Sequence, residues 1–185
     1  MPVGDRKLKN EELGRADLGS LAAMPRRPIR VVLDDVRSRH NVGSVFRTAD
    51  AFRIDGLDLC GFTPVPPHRE IEKTALGATL AVPWRHFGTA LQAVERLRAD
   101  GWTVVAVEQT RLAVPLEAFH PPPGARLAVV FGNELHGVSE AVVEACYQAV
   151  VLPQHGLKHS LNVSVCAGVV LWSLAGRVSL SGGLA

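Results

Sequence analysis

The sequence predicts an α/β protein built on a mostly parallel sheet flanked by helices, and three observations carry that prediction. Apolar runs rich in β-branched residues stand at 29–33, 57–62, 102–107, 127–131 and 149–152. They have the length of strands and the near-continuous hydrophobicity of strands buried on both faces. Between several of them, apolar residues recur at three- and four-residue spacing, the period of a helix packed on one side. The two kinds of segment alternate from Ile29 onward at roughly 25–30 residues per strand–helix pair, the cadence of βα units.

A length of 185 residues suits one domain with a proper core, and 47% hydrophobic with 21% charged residues is ordinary for a water-soluble chain. The formal net charge of +2 permits a nucleic-acid partner without requiring one. Cys60, Cys146 and Cys166 are far apart in apolar contexts, which suggests reduced, buried thiols of a cytoplasmic protein. The first thirty residues are polar and broken by Gly and Pro, so no signal peptide is expected. The longest apolar helix candidate, 163–175, is too short for a bilayer, so no membrane partner is expected either.

Residues 1–28 read as an N-terminal arm of mixed charge, with a short helix possible over 11–21 and a basic pair, Arg26 and Arg27, between prolines. Ile29 to Leu33 is the first strand. A charged turn over 34–40 leads to Asn41, a good N-cap for a helix whose apolar face is Val42, Val45, Phe46, Ala49 and Phe52. Arg47 lies off that face and, taken alone, reads as a solvated flank. Leu57 to Phe62 is the second strand. Pro64, Pro66 and Pro67 make 63–69 a loop. A short helix over 73–78 closes at Gly77, and 81–84 is a short strand. Residues 89–99 form a helix ended by Asp100-Gly101, and 102–107 a strand ended by the polar Glu108-Gln109-Thr110. Leu127 to Phe131 is a buried strand feeding a helix over 138–147. The run 149–153 is a strand stopped by Pro153; beyond a polar loop, Leu161, Val165, Val169 and Trp172 mark a last helix beginning near Ser160. Ser160 sits where an N-cap belongs, with Asn162 just behind it.

Three polar clusters, Asn41–Arg47, Gly132–Gly137 and Gly156–Asn162, each follow a strand. In a parallel sheet they can meet at its carboxyl edge, where ligands collect, together with Glu108, Gln109 and Thr110. Gly132 and Gly137 allow backbone N–H groups to face a ligand. Dinucleotide, phosphate-loop and nucleophile-elbow patterns are absent. His155 and His159 stand at i, i+4 without a third ligand at a recognisable spacing, so no metal is expected.

The clusters carry a resemblance. Asn41-Val-Gly-Ser-Val-Phe-Arg47-Thr-Ala49, Phe131-Gly132-Asn133-Glu134-Leu-His-Gly137, and Leu152-Pro153-Gln154-His155-Gly156 running into Ser160-Leu161-Asn162-Val163-Ser164-Val165 resemble the three motifs of the SpoU/TrmH-type ribose 2′-O-methyltransferases of the SPOUT superfamily. Lys73-Thr-Ala-Leu-Gly-Ala78 is similar to a linking segment of the same family, and Gln154 stands where many members carry methionine. The match runs from Ile29 to about Trp172, which makes 29–185 a SPOUT methyltransferase domain.

The resemblance implies methyl transfer from S-adenosylmethionine to a ribose 2′-oxygen of tRNA or rRNA, a C-terminal segment threaded into a trefoil knot, and a homodimer with its active site at the subunit interface. It implies a cofactor pocket made by Glu108, Gln109, Thr110, Gly132, Asn133, Leu152, Ser160 and Leu161, the glycine and leucines offering mostly backbone atoms. It places Arg47, Asn41, Glu134, Ser160 and Asn162 in the catalytic site. Because a guanidinium stays protonated, Arg47 suits stabilisation of the developing oxyanion or a neighbouring phosphate. Asn41 and Asn162 would hold the ribose and orient Arg47, and Glu134 would fix the architecture by pairing with Arg47 or Asn41. The competing reading is a catalytically silent RNA-binding member of the fold, against which the five intact polar groups argue.

Overall fold

The computed structural model describes residues 6–9, 12, 14, 19 and 24–178. The short helix expected over 11–21 falls mostly outside the described residues. The described chain runs β1 (Arg27–Asp34), α1 (Arg39–Ala51), β2 (Ile54–Cys60), α2 (Arg69–Ala75), α3 (Ala78–Ala81), β3 (Trp84–Phe87), α4 (Ala90–Ala99), β4 (Trp102–Val107), β5 (Val114–Pro115), β6 (Arg126–Phe131), α5 (Glu140–Ala145), β7 (Gln148–Val151) and α6 (Val163–Ala175). The strands form one seven-stranded sheet in the order β3-β2-β1-β6-β4-β7-β5. Every pairing in it is parallel. The predicted α/β class and parallel sheet therefore hold.

Strand periodicity of two sends alternate residues to opposite faces and makes three layers. Val31 and Leu33 of β1 and Leu127, Val129 and Phe131 of β6 pack with α1 and α6 through Val45, Phe46, Val170 and Leu171. Val32, Ala128 and Val130 pack on the other side with Ala93, Val94 and Leu97 of α4 and Val142 of α5. The second face also carries a charged cluster. Asp58, fully buried on β2, is held by Arg30 and Arg85 at 2.8 Å each, and Arg30 also reaches Asp55. A buried carboxylate persists only when its lone pairs are matched in this way.

Several predicted boundaries move, each for a local reason. Helix α1 starts at Arg39 with Ser38 as its N-cap, so Asn41 lies inside the first turn and its side chain is free for another use. β2 runs Ile54–Cys60, not 57–62; Gly61 (φ 59°) turns the chain, and Phe62 leaves the sheet exposed. The segment expected as one helix over 73–78 is two, α2 and α3, separated by Leu76 and Gly77, both left-handed. β3 lies at 84–87, not 81–84, because Ala81 completes α3. Helix α5 is shorter than the expected 138–147. Asn162, not Ser160, caps α6, its Oδ1 accepting the N–H (2.9 Å) and hydroxyl (2.7 Å) of Ser164. β5 has no counterpart in the sequence reading: two residues ending in Pro115 suit an edge and give no periodicity to read.

The last helix carries the main surprise in packing. Its core face is Val163, Ala167, Val170, Leu171 and Leu174. The stripe that marked it in the sequence, Leu161, Val165, Val169 and Trp172, is exposed, Trp172 by 71%. Helix α6 is thus apolar nearly all round, a composition that belongs to a helix covered on both sides. No helix among the described residues is long and apolar enough to cross a membrane.

Candidate active site

Because every strand is parallel, the loops after β1, β4, β6 and β7 emerge at one edge. Open α/β sheets collect ligands at this edge. A cavity of about 500 Å³ opens at that edge, of the size small-ligand sites have. Val107, Phe131, Val150 and Cys166 give it an apolar floor; Glu108, Gln109, Gly132, Asn133, Glu134, Leu152, Ser160, Leu161 and Asn162 line the rest. The structure thus brings together nine of the residues singled out in the sequence.

Two others stand apart from the lining, and one is elsewhere. Thr110 is not in the cavity wall; its carbonyl accepts the Ala113 N–H and begins a turn leading away. Asn41 lies just behind the wall, joined to it by hydrogen bonds. Arg47 is exposed and lines a separate groove with Thr48, Ala51, Phe52, Gly168, Val169 and Trp172. Of the two partners considered for Glu134, the structure pairs it with Asn41.

Glu134 organises the cluster. Its carboxylate accepts the N–H groups of Arg37 (3.1 Å) and Ser38 (3.2 Å) and the Asn41 side-chain amide (3.0 Å). Burial alone would raise its pKa, but these donors, with its own backbone N–H, outweigh that and hold the carboxyl below its usual range. The anion also fixes the direction of the neighbouring amides. Asn41 must turn its NH₂ to the carboxylate, so its Oδ1 is left to accept from Asn162 Nδ2 at 3.1 Å. That leaves Asn162 Oδ1 for the start of α6, where it caps Ser164. One carboxylate thereby orients two amides and ties all three sequence clusters together.

The loop 132–137 is folded on itself. Asn133 and Gly137 each donate a backbone N–H to the other's carbonyl, at 3.0 and 2.9 Å, so the Gly137 N–H is paired within the loop instead of facing a ligand as expected. Gly132 is required by this closure: a Cβ there would lie 2.0 Å from the Gly137 carbonyl carbon. Glu108 braces the same loop. Its Oε2 accepts the Val138 N–H at 2.8 Å, and its Oε1 accepts the Gln109 N–H at 2.7 Å. Gln109 in turn donates from Nε2 to the His159 carbonyl, drawing the 153–162 loop over the cavity.

Sequence reading missed other parts of the frame. Asp34 Oδ2 accepts the N–H and hydroxyl of Ser139, and the Asp35 carbonyl accepts from Asn133 Nδ2 at 2.7 Å. Two acidic residues directly at the end of a strand were the signal available. Leu135, His136 and Cys166 also line the cavity. Cys166 is no nucleophile: burial first, then the Glu108 charge, pushes its thiol up to about 11. Among the described residues no three His, Cys, Asp or Glu side chains are grouped to hold a metal ion.

Comparisons with known proteins point to one family. The model of the SpoU rRNA Methylase family matches residues 28–172. A protein of Staphylococcus saprophyticus named for the TrmH family of tRNA/rRNA methyltransferases is 29% identical over 144 residues, covering 78% of this chain and 57% of that protein. The 23S rRNA (guanosine-2′-O-)-methyltransferase RlmB of Vibrio parahaemolyticus is 29% identical over 164 residues, covering 88% and 64%. The AdoMet-bound rRNA methyltransferase of Sinorhizobium meliloti superposes with a TM-score of 0.75 at 28% identity, covering 88% of this chain and 60% of that one. The chain thus spans about three-fifths of the length of each of these relatives.

Proposed function

We propose that this chain, which belongs to the SpoU rRNA methylase family, transfers a methyl group from S-adenosylmethionine to a ribose 2′-hydroxyl of tRNA or rRNA. The observation that carries the reading is the Glu134–Asn41–Asn162 chain, which holds three separated sequence clusters as one polar wall beside a nucleoside-sized cavity. The residues fit the cofactor. An apolar floor of Val107, Phe131 and Val150 suits an adenine ring, while Leu152 and Leu161 border it and Glu108 and Gln109 stand at the polar rim. When bound, the cofactor supplies a sulfonium methyl; the 2′-oxygen gains that carbon as the S–CH₃ bond breaks, and the hydroxyl proton leaves to solvent.

The protein's own part is positional and electrostatic. Asn162 meets the ribose from the cavity wall, Asn41 behind it holds the Asn162 amide in the orientation the Glu134 anion dictates, and Ser160 stands at the rim. A guanidinium would stabilise the charge that develops on the 2′-oxygen. In a single chain Arg47 lies in the groove beside Val169 and Trp172, outside the cavity. The exposed stripe of α6 runs from Leu161, which lines the cavity, to Trp172, which lines that groove. We therefore propose a homodimer packed on this stripe. A two-fold axis across it sets the Trp172 end of one copy against the Leu161 end of the other and delivers the partner subunit's Arg47 to the cavity. The mild positive charge suits an RNA partner, and we place the protein in the cytoplasm, where its free cysteines stay reduced.

The test is transfer itself. Purified protein, methyl-labelled S-adenosylmethionine and bulk unmodified RNA should yield label in 2′-O-methylnucleosides after digestion. Label on a base would redirect the chemistry, and no label with cofactor bound would leave a silent RNA binder.

A further inference from the structure

Beside the cavity, β2 ends in a turn that displays an aromatic ring to solvent. Phe62 is 81% exposed, yet the backbone on which it stands is held from several sides. Its N–H donates to Asp35 Oδ1 at 2.7 Å. On one side Gly61 donates to the Phe87 carbonyl, and a Cβ at Gly61 would meet Asp35 Oδ1 at 2.1 Å. On the other side Thr63 Oγ1 donates to the Leu33 carbonyl and accepts the Val36 N–H, each at 3.1 Å. Asp35 adopts φ 53°, a left-handed backbone that a non-glycine residue keeps only when its surroundings hold it there.

Exposed apolar side chains scattered singly are ordinary, so exposure alone would mean little. The mounting distinguishes this one. Asp35 carries Phe62 on its carboxylate and accepts Asn133 Nδ2 on its carbonyl. Asn133 in turn lines the cavity and holds the Leu135 N–H on its Oδ1 at 2.8 Å; Leu135 is 77% exposed. Two bare apolar side chains therefore hang from one hydrogen-bonded pair, Leu135 on the cavity wall and Phe62 outside it. The nearest charges are mixed: exposed Arg37 follows Val36, which is bonded to Thr63, while the Asp35 carboxylate is taken up by the Phe62 N–H. A flat ring largely bare to solvent, on a backbone already ordered and with the Arg37 guanidinium nearby in the chain, suits an unpaired base whose phosphate can meet that cation.

We infer that Phe62 is a stacking platform for an unpaired nucleobase of the RNA, tied to the cavity wall through the Asp35–Asn133 pair. The inference rests on the methyl-transfer reading for its biological setting. It implies a substrate site in a loop or other single-stranded region, since a ring cannot stack on the face of a base inside a duplex.

The experiment compares wild type with Phe62→Ala, Phe62→Leu and Phe62→Trp for binding of end-labelled polyadenylate and polyuridylate by anisotropy. Loss of one base–aromatic stack weakens binding by roughly five- to a hundredfold. Phe62→Ala and Phe62→Leu should both lose that factor, and Phe62→Trp should keep wild-type affinity. The salt dependence and the affinity for S-adenosylmethionine should not change in any variant, because no phosphate contact and no cavity residue is altered. Unchanged binding by Phe62→Ala, or full binding by Phe62→Leu, would overturn the platform. Methyl transfer measured on the same preparations separates the two claims. Wild type that transfers nothing, yet binds through Phe62, removes the activity and leaves the platform. Wild type that transfers, with Phe62→Ala binding and transferring equally well, does the reverse.

Discussion

At the scale of single residues two charges bear on the proposed reaction, and the structure places them differently. Glu134 is an organising anion: three donors converge on it, and its charge decides which way Asn41 and Asn162 face. Its folded-state pKa is depressed, so the stability it adds is fully present above the unfolded value of about 4.3 and is lost as pH falls through the folded value. Glu134→Gln should therefore cost about 1 kcal/mol at neutral pH, below the usual range for charged hydrogen bonds because Glu134 is exposed and solvent screens it. That difference should close under acid conditions, as denaturant titrations at neutral and acid pH would show. A cost that persisted unchanged in acid would mean that packing, not charge, is lost. Arg47 has the opposite character, exposed and without a wall to line in its own chain's cavity. Arg47→Ala should lower turnover by about 10²–10³ while cofactor affinity holds, the signature of a donor used only in the transition state. Arg47→Lys should recover little, because an ammonium cannot replace a planar fork. Normal turnover in both variants would return Arg47 to a solvated helix flank.

Elements impose a second set of constraints, mostly through close approach. Helix α1 meets α2 at Gly43, where a Cβ would lie 2.1 Å from Thr74 Oγ1 and 2.3 Å from the Ile71 carbonyl oxygen. The hydroxyl can rotate; the carbonyl is backbone and cannot. Gly43→Ala should consequently destabilise the fold by about 1–3 kcal/mol, as overpacking does, read as a lower urea midpoint with an unchanged slope. Asn41 stands two residues earlier on the same helix, so the variant should also weaken methyl transfer. Wild-type stability would show that the helices can part at no cost.

For the whole molecule the open question is the bare face of α6. Leu161, Val165, Val169 and Trp172 form a stripe that one chain leaves in water, and a stable interface on it would bury roughly 1,200–2,000 Å² in total. Trp172→Glu should shift the protein to monomer in sedimentation at micromolar concentration while leaving the Glu134–Asn41–Asn162 chain intact. A wild-type monomer would refute the assembly. Composite sites make a further demand. When Arg47→Ala and Glu134→Ala chains are mixed and allowed to exchange, each heterodimer regains one complete site, so about a quarter of wild-type activity should return. Two inactive parents that stay inactive together would mean that Arg47 acts within its own chain. Phe46, on the core face of α1, is buried completely and takes no part in that stripe.

What the chain order alone determined was the alternation of strands and helices, the parallel sheet, and the polar clusters destined for its carboxyl edge. These are legible because burial on both faces makes β strands continuous in hydrophobicity, and because residues such as Asn41, Glu134 and Asn162 are seldom spent in a core. Element ends were less legible where two residues competed for one task. Asn41 read as the cap of α1, but Ser38 takes that place and leaves the Asn41 amide to Glu134 and Asn162; Ser160 read as the cap of α6, but Asn162 caps it with Oδ1 while its Nδ2 reaches Asn41. Phe62 looked like the last residue of a strand until Asp35, 27 positions earlier, took its N–H and turned the ring outward. The helical stripe of α6 was correctly periodic yet faced water, because periodicity reports an apolar face without saying whether the same chain covers it. Only the tertiary structure could settle such points, since each depends on a contact between residues far apart in the chain.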